Sequence, residues 1–124
     1  MKKLLFIALF SIGLFTVSNA QMLGTVTNNS PYGTDFKMGD ASGVNGLYIP
    51  FIAPFGGTSP ANFTSPLVFP LQFGATNSLG CTAFQSVVFA PSAGATPFTC
   101  FVFSTMSYTL VPFGPFFILN VVIA

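Results

Sequence analysis

The stretch Thr82-Ala-Phe-Gln-Ser-Val-Val-Phe-Ala90, followed by Pro91-Ser-Ala-Gly94 and then by Phe98-Thr-Cys-Phe-Val-Phe-Ser-Thr105, decides the fold class. Both apolar runs have strand length, are rich in β-branched and aromatic residues, and are bounded by proline and glycine. Their spacing predicts strands at 82–90 and 98–105 on either side of a turn at 91–94. Beyond residue 20 no apolar stripe of helical period runs for more than two turns without proline or glycine. The lysine, glutamate and alanine runs that favour helices are missing as well.

Outward from this pair the same style continues. Residues 22–28 predict a first strand, with Leu23, Thr25 and Thr27 on one face and Gly24 and Val26 on the other. A short strand at 36–38 precedes the loop Gly39-Asp-Ala-Ser-Gly-Val-Asn-Gly46, and 47–53 is a strand interrupted by Pro50. Residues 66–73 are apolar and extended, but Pro70 has no N–H for a ladder and belongs at an edge or a bulge. Runs at 107–111 and 116–123 close the chain. About seven or eight short strands in one domain, 21–124, predict an all-β fold, a small antiparallel β-sandwich.

One internal echo stands out. Ala53-Pro-Phe-Gly-Gly-Thr-Ser-Pro60 aligns with Ala90-Pro-Ser-Ala-Gly-Ala-Thr-Pro97. The expectation is a reused strand–turn–strand connection, with Gly57 and Gly94 allowing positive φ. Pro54-Phe55-Gly56 and Pro112-Phe113-Gly114 read likewise as turns, each with a buried ring.

Residues 1–20 read as a cleaved secretory signal peptide of bacterial type. Lys2 and Lys3 precede an apolar run to Val17, and Val17-Ser18-Asn19-Ala20 places small residues at the cleavage position. The run is short for a membrane-spanning helix and no charged stop-transfer flank follows it. The expected destination is periplasm, cell surface or medium. Removal of Lys2 and Lys3 leaves Asp35, Lys37 and Asp40 as the only charged side chains, a net −1. Of 17 phenylalanines, the loss of Phe6, Phe10 and Phe15 leaves 14.

This composition closes off most chemistry. The whole chain contains no histidine, arginine, glutamate or tryptophan. General acid–base catalysis, metal-assisted hydrolysis and phosphate handling draw on those groups, so no enzyme and no cofactor is expected. One lysine cannot form a basic patch, which excludes nucleic acid and electrostatic attachment to a membrane. Cys81 and Cys100, in an exported chain, invite one disulfide; two buried free thiols are the alternative.

Few side chains suggest a site. Asp35, Asp40, Ser42 and Asn45 offer oxygen ligands on a glycine-rich backbone, the chemistry calcium uses, although the spacing misses the EF-hand by one residue and Lys37 offsets the charge. A solvated loop is the plainer reading. Asn28-Asn-Ser30 and Asn62-Phe-Thr64 match the glycosylation acceptor pattern but read as chance after a bacterial-type signal. Phe116, Phe117, Ile118, Val121 and Ile123 lie on a strand apolar on both faces. Such a strand is either central to a covered sheet or an exposed edge that pairs with another chain. Two functional classes follow. One is a structural or interaction protein that self-associates or docks on a cell-envelope partner through an apolar edge or phenylalanine patch. The other is a secreted binding module for a small apolar ligand or a surface glycan, in a Phe/Tyr-lined cleft.

Overall fold

The computed structural model describes residues 21–100 and 104–124; the expected signal peptide, 1–20, lies outside the described residues, as do 101–103 of the expected strand 98–105. Among the described residues there are nine strands and no helix: β1 (Gln21–Asn28), β2 (Thr34–Gly39), β3 (Gly46–Ile52), β4 (Gly57–Pro60), β5 (Leu71–Asn77), β6 (Thr82–Val87), β7 (Ser92–Pro97), β8 (Thr105–Phe113) and β9 (Phe116–Ile123). They form a five-stranded sheet in the order β4-β1-β9-β8-β7 and a four-stranded sheet in the order β3-β2-β5-β6.

Period-2 alternation builds the core. β1 buries Met22, Gly24, Val26 and Asn28, so its two faces fall where the sequence places them. β2 and β5 turn Phe36, Met38, Leu71, Phe73 and Ala75 inward, and β9 buries Phe117, Leu119, Val121 and Ile123. Inward residues of both sheets meet in one apolar cluster. Within it the Phe73 ring of one sheet meets the Tyr108 ring of the other edge-on at 5.3 Å, and Phe69 meets Phe117 edge-on at 5.6 Å.

Several expectations need correction. The larger sheet is mixed: β1 runs parallel to β9 along its whole length, from Gln21 opposite Phe116 to Asn28 opposite Ile123. A parallel pair needs a long connection, and here most of the chain supplies it. β9 therefore lies between β1 and β8 with both edges already paired, so Phe116, Phe117, Ile118, Val121 and Ile123 offer no free edge. Residues 91–94 are not a turn, because β7 occupies 92–97 as the edge beside β8. Small residues are required there: a Cβ on Gly94 would stand 2.9 Å from the Tyr108 ring. Pro70 falls just before β5, outside the ladder, and Pro50 sits at an irregularity of the edge strand β3, where an extra residue opposes β2.

The echoed octets mark corresponding places in the fold. Each carries the chain from an edge strand of the four-stranded sheet to an edge strand of the five-stranded one, β3 to β4 and β6 to β7. Neither Gly57 nor Gly94 has positive φ; that conformation falls to Gly43, Gly56, Gly80 and Gly114, and to Phe55 at φ 62°. The Phe55 and Phe113 rings, expected inside, are exposed, as are Phe51, Phe84 and Phe89. Phe113 lies on the outward parity of β8, with Thr109 and Val111, and Phe55 lies in the connection between β3 and β4 rather than on a strand that faces the core.

All four edges are blunted. β4 has four residues and ends in Pro60, β3 carries Pro50, and β7 ends in Pro97. β6 and β7 are tied by the Cys81–Cys100 disulfide, by the Thr82 N–H donating to Thr99 Oγ1 and by the Thr96 hydroxyl donating to Gln85. The disulfide suits an oxidising compartment. No helix among the described residues is long and apolar enough to cross a membrane.

Candidate functional site

The outer face of the four-stranded sheet carries the chain's scarce polar chemistry. Because Phe36 and Met38 point inward, Asp35 and Lys37 point outward, and the same parity turns out Gln72, Gly74 and Thr76 of β5 and Thr82, Phe84 and Ser86 of β6. Register then aligns them. Lys37 lies opposite both Tyr48 and Gly74, and Gly74 lies opposite Phe84, so the row Tyr48–Lys37–Gly74–Phe84 crosses all four strands. On one side runs the row Asp35–Thr76–Thr82, and on the other Gly39–Gln72–Ser86.

Apart from Ser86, the residues of these rows line a trough of about 1020 Å³. Tyr48 and Phe84, 53% and 59% exposed, stand at its two sides, and Gly74 leaves the floor low between them. The edge of the Phe84 ring lies close over Gly74, 3.6 Å from where a Cβ would stand, which covers the glycine and steadies the ring. Tyr48 is held twice. Its hydroxyl donates to Asp35 Oδ2 at 2.9 Å, and the Lys37 ammonium sits 5.7 Å from its ring centroid. The hydrogen bond to the Asp35 carboxylate, with lesser help from burial and from the Asp35 charge, keeps the Tyr48 hydroxyl above its ordinary pKa. It is a donor at any physiological pH.

The four residues weighed for calcium are not all brought together. Asp40, Ser42 and Asn45 share the β2–β3 loop, while Asp35 is at the far end of β2, paired with Tyr48. Asp40 is already engaged. Its Oδ1 accepts from the Ser42 N–H and hydroxyl, and its Oδ2 accepts from Asn45 Nδ2 at 2.7 Å and from the Val68 N–H at 3.0 Å. Asn45 Nδ2 also donates to the Ser65 and Pro66 carbonyls, so this carboxylate clamps the loop onto the 65–68 segment. Among the described residues no three His, Cys, Asp or Glu side chains converge as a metal site would need. The acceptor asparagines differ in the same way: Asn28 is wholly buried and Asn62 exposed, its Oδ1 accepting from the Gly24 N–H.

Burial raises the Asp40 pKa, but the hydrogen bonds from Asn45, Ser42 and Val68 outweigh it and leave the carboxyl below its ordinary value of 3.8. A folded pKa below the unfolded one adds stability that is complete above the unfolded value and lost as pH falls through the folded one. Asp40→Asn should therefore destabilise by about 1 kcal/mol at neutral pH, a figure kept small by the loop's solvent access. The gap should close below about pH 4, near the carboxylate's unfolded pKa. Urea titrations of both proteins at neutral and acid pH check this; a gap that widens in acid contradicts it.

Sequence reasoning named Asp35 as a calcium ligand and a Phe/Tyr-lined cleft without its residues, and so did not locate the trough. The usable signal was parity: on each strand the outward residues are those the core does not claim. All three charged side chains of residues 21–124 line this one trough. Comparison with protein families, with curated proteins and with solved structures found no match.

Proposed function

We propose that the chain is a secreted, non-catalytic binding module, a two-layer antiparallel-rich β-sandwich released from its signal peptide, and that the trough on its four-stranded sheet holds a surface glycan. One observation carries the reading: a domain almost devoid of charge gathers Asp35, Lys37 and Asp40 around a floor flanked by two exposed rings. Sugars present apolar C–H faces and hydroxyl edges together, and a site for them needs flat rings beside donors and acceptors. The flanking rows provide Thr76, Thr82 and Gln72 for that purpose. The lack of histidine, glutamate and arginine supports binding without turnover. The disulfide supports export.

The assembling alternative, docking on a second copy or an envelope protein, now leans on individually exposed phenylalanines alone. Phe89 and Phe113, with Val88, are among the most exposed large apolar residues. One experiment separates the two readings. The exported chain is run through native gels containing neutral polysaccharides and is sedimented over a hundredfold range of concentration. Retardation by at least one polysaccharide, lost in Tyr48→Ala, with a single sedimenting species, is the expected result. Growth of oligomers with no retardation would move the function to the exposed phenylalanines.

A further inference from the structure

We infer that the trough takes a neutral, linear oligosaccharide lying across the strands, with one sugar on Tyr48 and another on Phe84. This rests on reading the trough as a glycan site. The two rings belong to the outermost strands of the sheet, β3 and β6, and lie in a single cross-strand row. Three inter-strand spacings separate their backbones, about 14 Å. Both rings lean inward from those edges, Phe84 over Gly74 and Tyr48 towards Asp35, and a chain of linked sugars lying across the strands meets both at once.

The middle of the row suits the inner part of such a chain. Gly74 adds no side chain of its own and is covered by the edge of the Phe84 ring, so a sugar there rests against that ring, with Thr76 on one side and Gln72 on the other to meet its hydroxyl edges. Charge argues for a neutral ligand. Lys37 is set against Asp35 and Asp40 around the same trough, leaving a net −1 that repels an acidic chain. Lys37 is also partly committed to the Tyr48 ring, and the Asp35 carboxylate to the Tyr48 hydroxyl. Tyr48 by these contacts and Phe84 by its packing over Gly74 are positioned before a ligand arrives, which lowers the ordering entropy of binding.

The test uses the exported chain with β-linked glucose and mannose oligomers from monosaccharide to hexasaccharide, and with oligogalacturonate as the acidic counterpart, by calorimetry. Affinity should climb with length until both rings are spanned and then level off. Tyr48→Ala or Phe84→Ala should each weaken the hexasaccharide roughly tenfold and flatten the length dependence. Phe84→Leu keeps an apolar cover over Gly74 while removing the flat face, and should behave like the alanine variant. Equal binding of monosaccharide and hexasaccharide, still sensitive to Tyr48→Ala, would overturn the spanning geometry and leave the glycan site standing. Tighter binding of oligogalacturonate would overturn the neutral assignment. No binding by any member of the series, or binding indifferent to every variant, would overturn the glycan site itself.

Discussion

Asn28→Ala is expected to lower the stability of this domain by about 3 kcal/mol and its melting temperature by roughly 15 °C, a larger effect than the loss of any exposed polar side chain should have. Asn28 ends β1 with no solvent exposure, and its amide serves three segments at once. Nδ2 donates to the Tyr32 carbonyl at 2.7 Å, to the Ile52 carbonyl at 3.0 Å and to Thr34 Oγ1 at 3.2 Å, two hydrogens being shared among three acceptors. Oδ1 accepts from the Ser30 N–H at 3.1 Å and the Ser30 hydroxyl at 2.6 Å. Alanine leaves these groups buried and short of partners, where each one costs about 1–3 kcal/mol. Relaxation of the 29–33 turn recovers part of the total.

The isosteric Asn28→Asp separates hydrogen bonding from shape. A carboxylate would face the Tyr32 and Ile52 carbonyls, so the folded state favours its protonated form and raises its pKa. The stability that remains is then fully present below the unfolded pKa and lost as pH rises through the folded one. Urea unfolding of the three proteins at neutral and acid pH tests both expectations. A loss below about 1 kcal/mol for Asn28→Ala would mean that water replaces the amide and that the network is not a latch.

Breaking the disulfide ranks next. Cys81→Ala with Cys100→Ser should cost about 3 kcal/mol, from the loop entropy released in the unfolded chain by opening a link across 19 residues. Cys81 is buried just before β6 and Cys100 exposed after β7, so alanine and serine suit their respective surroundings. The bond joins edge strands of different sheets, where the Thr82–Thr99 and Gln85–Thr96 hydrogen bonds are the neighbouring ties. Reductant should lower the melting temperature of the unsubstituted chain to that of the double variant and leave the variant unmoved. Equal melting temperatures without reductant would place the stability of this corner in packing alone.

Much of the architecture was legible because it is local. Alternation in Met22-Leu-Gly-Thr-Val and in Asp35-Phe-Lys-Met declares a half-buried strand by its period of 2. The strand 92–97 was not legible. Ser-Ala-Gly-Ala-Thr-Pro has turn composition, and it becomes an edge strand because the Tyr108 ring needs the space over Gly94 while the Tyr108 hydroxyl bonds Ser92 at 2.7 Å. The exposed rings misled for a related reason: apolar composition alone does not say that Phe84 lies on the outward parity of β6 or that Phe113 ends a hairpin.

By itself the amino-acid sequence determined an all-β chain with almost no charge, two cysteines, and no histidine, arginine, glutamate or tryptophan, since composition and short-range periodicity need no knowledge of neighbours. Only the tertiary structure decided that β9 is internal, that β1 runs parallel to it, and that Asp40 clamps a loop apart from Asp35. It also assembled the candidate site. Lys37, Gly74 and Phe84 are far apart along the chain and become neighbours through strand register, which shared burial of Phe36, Phe73 and Ala83 sets on the opposite face of the same strands.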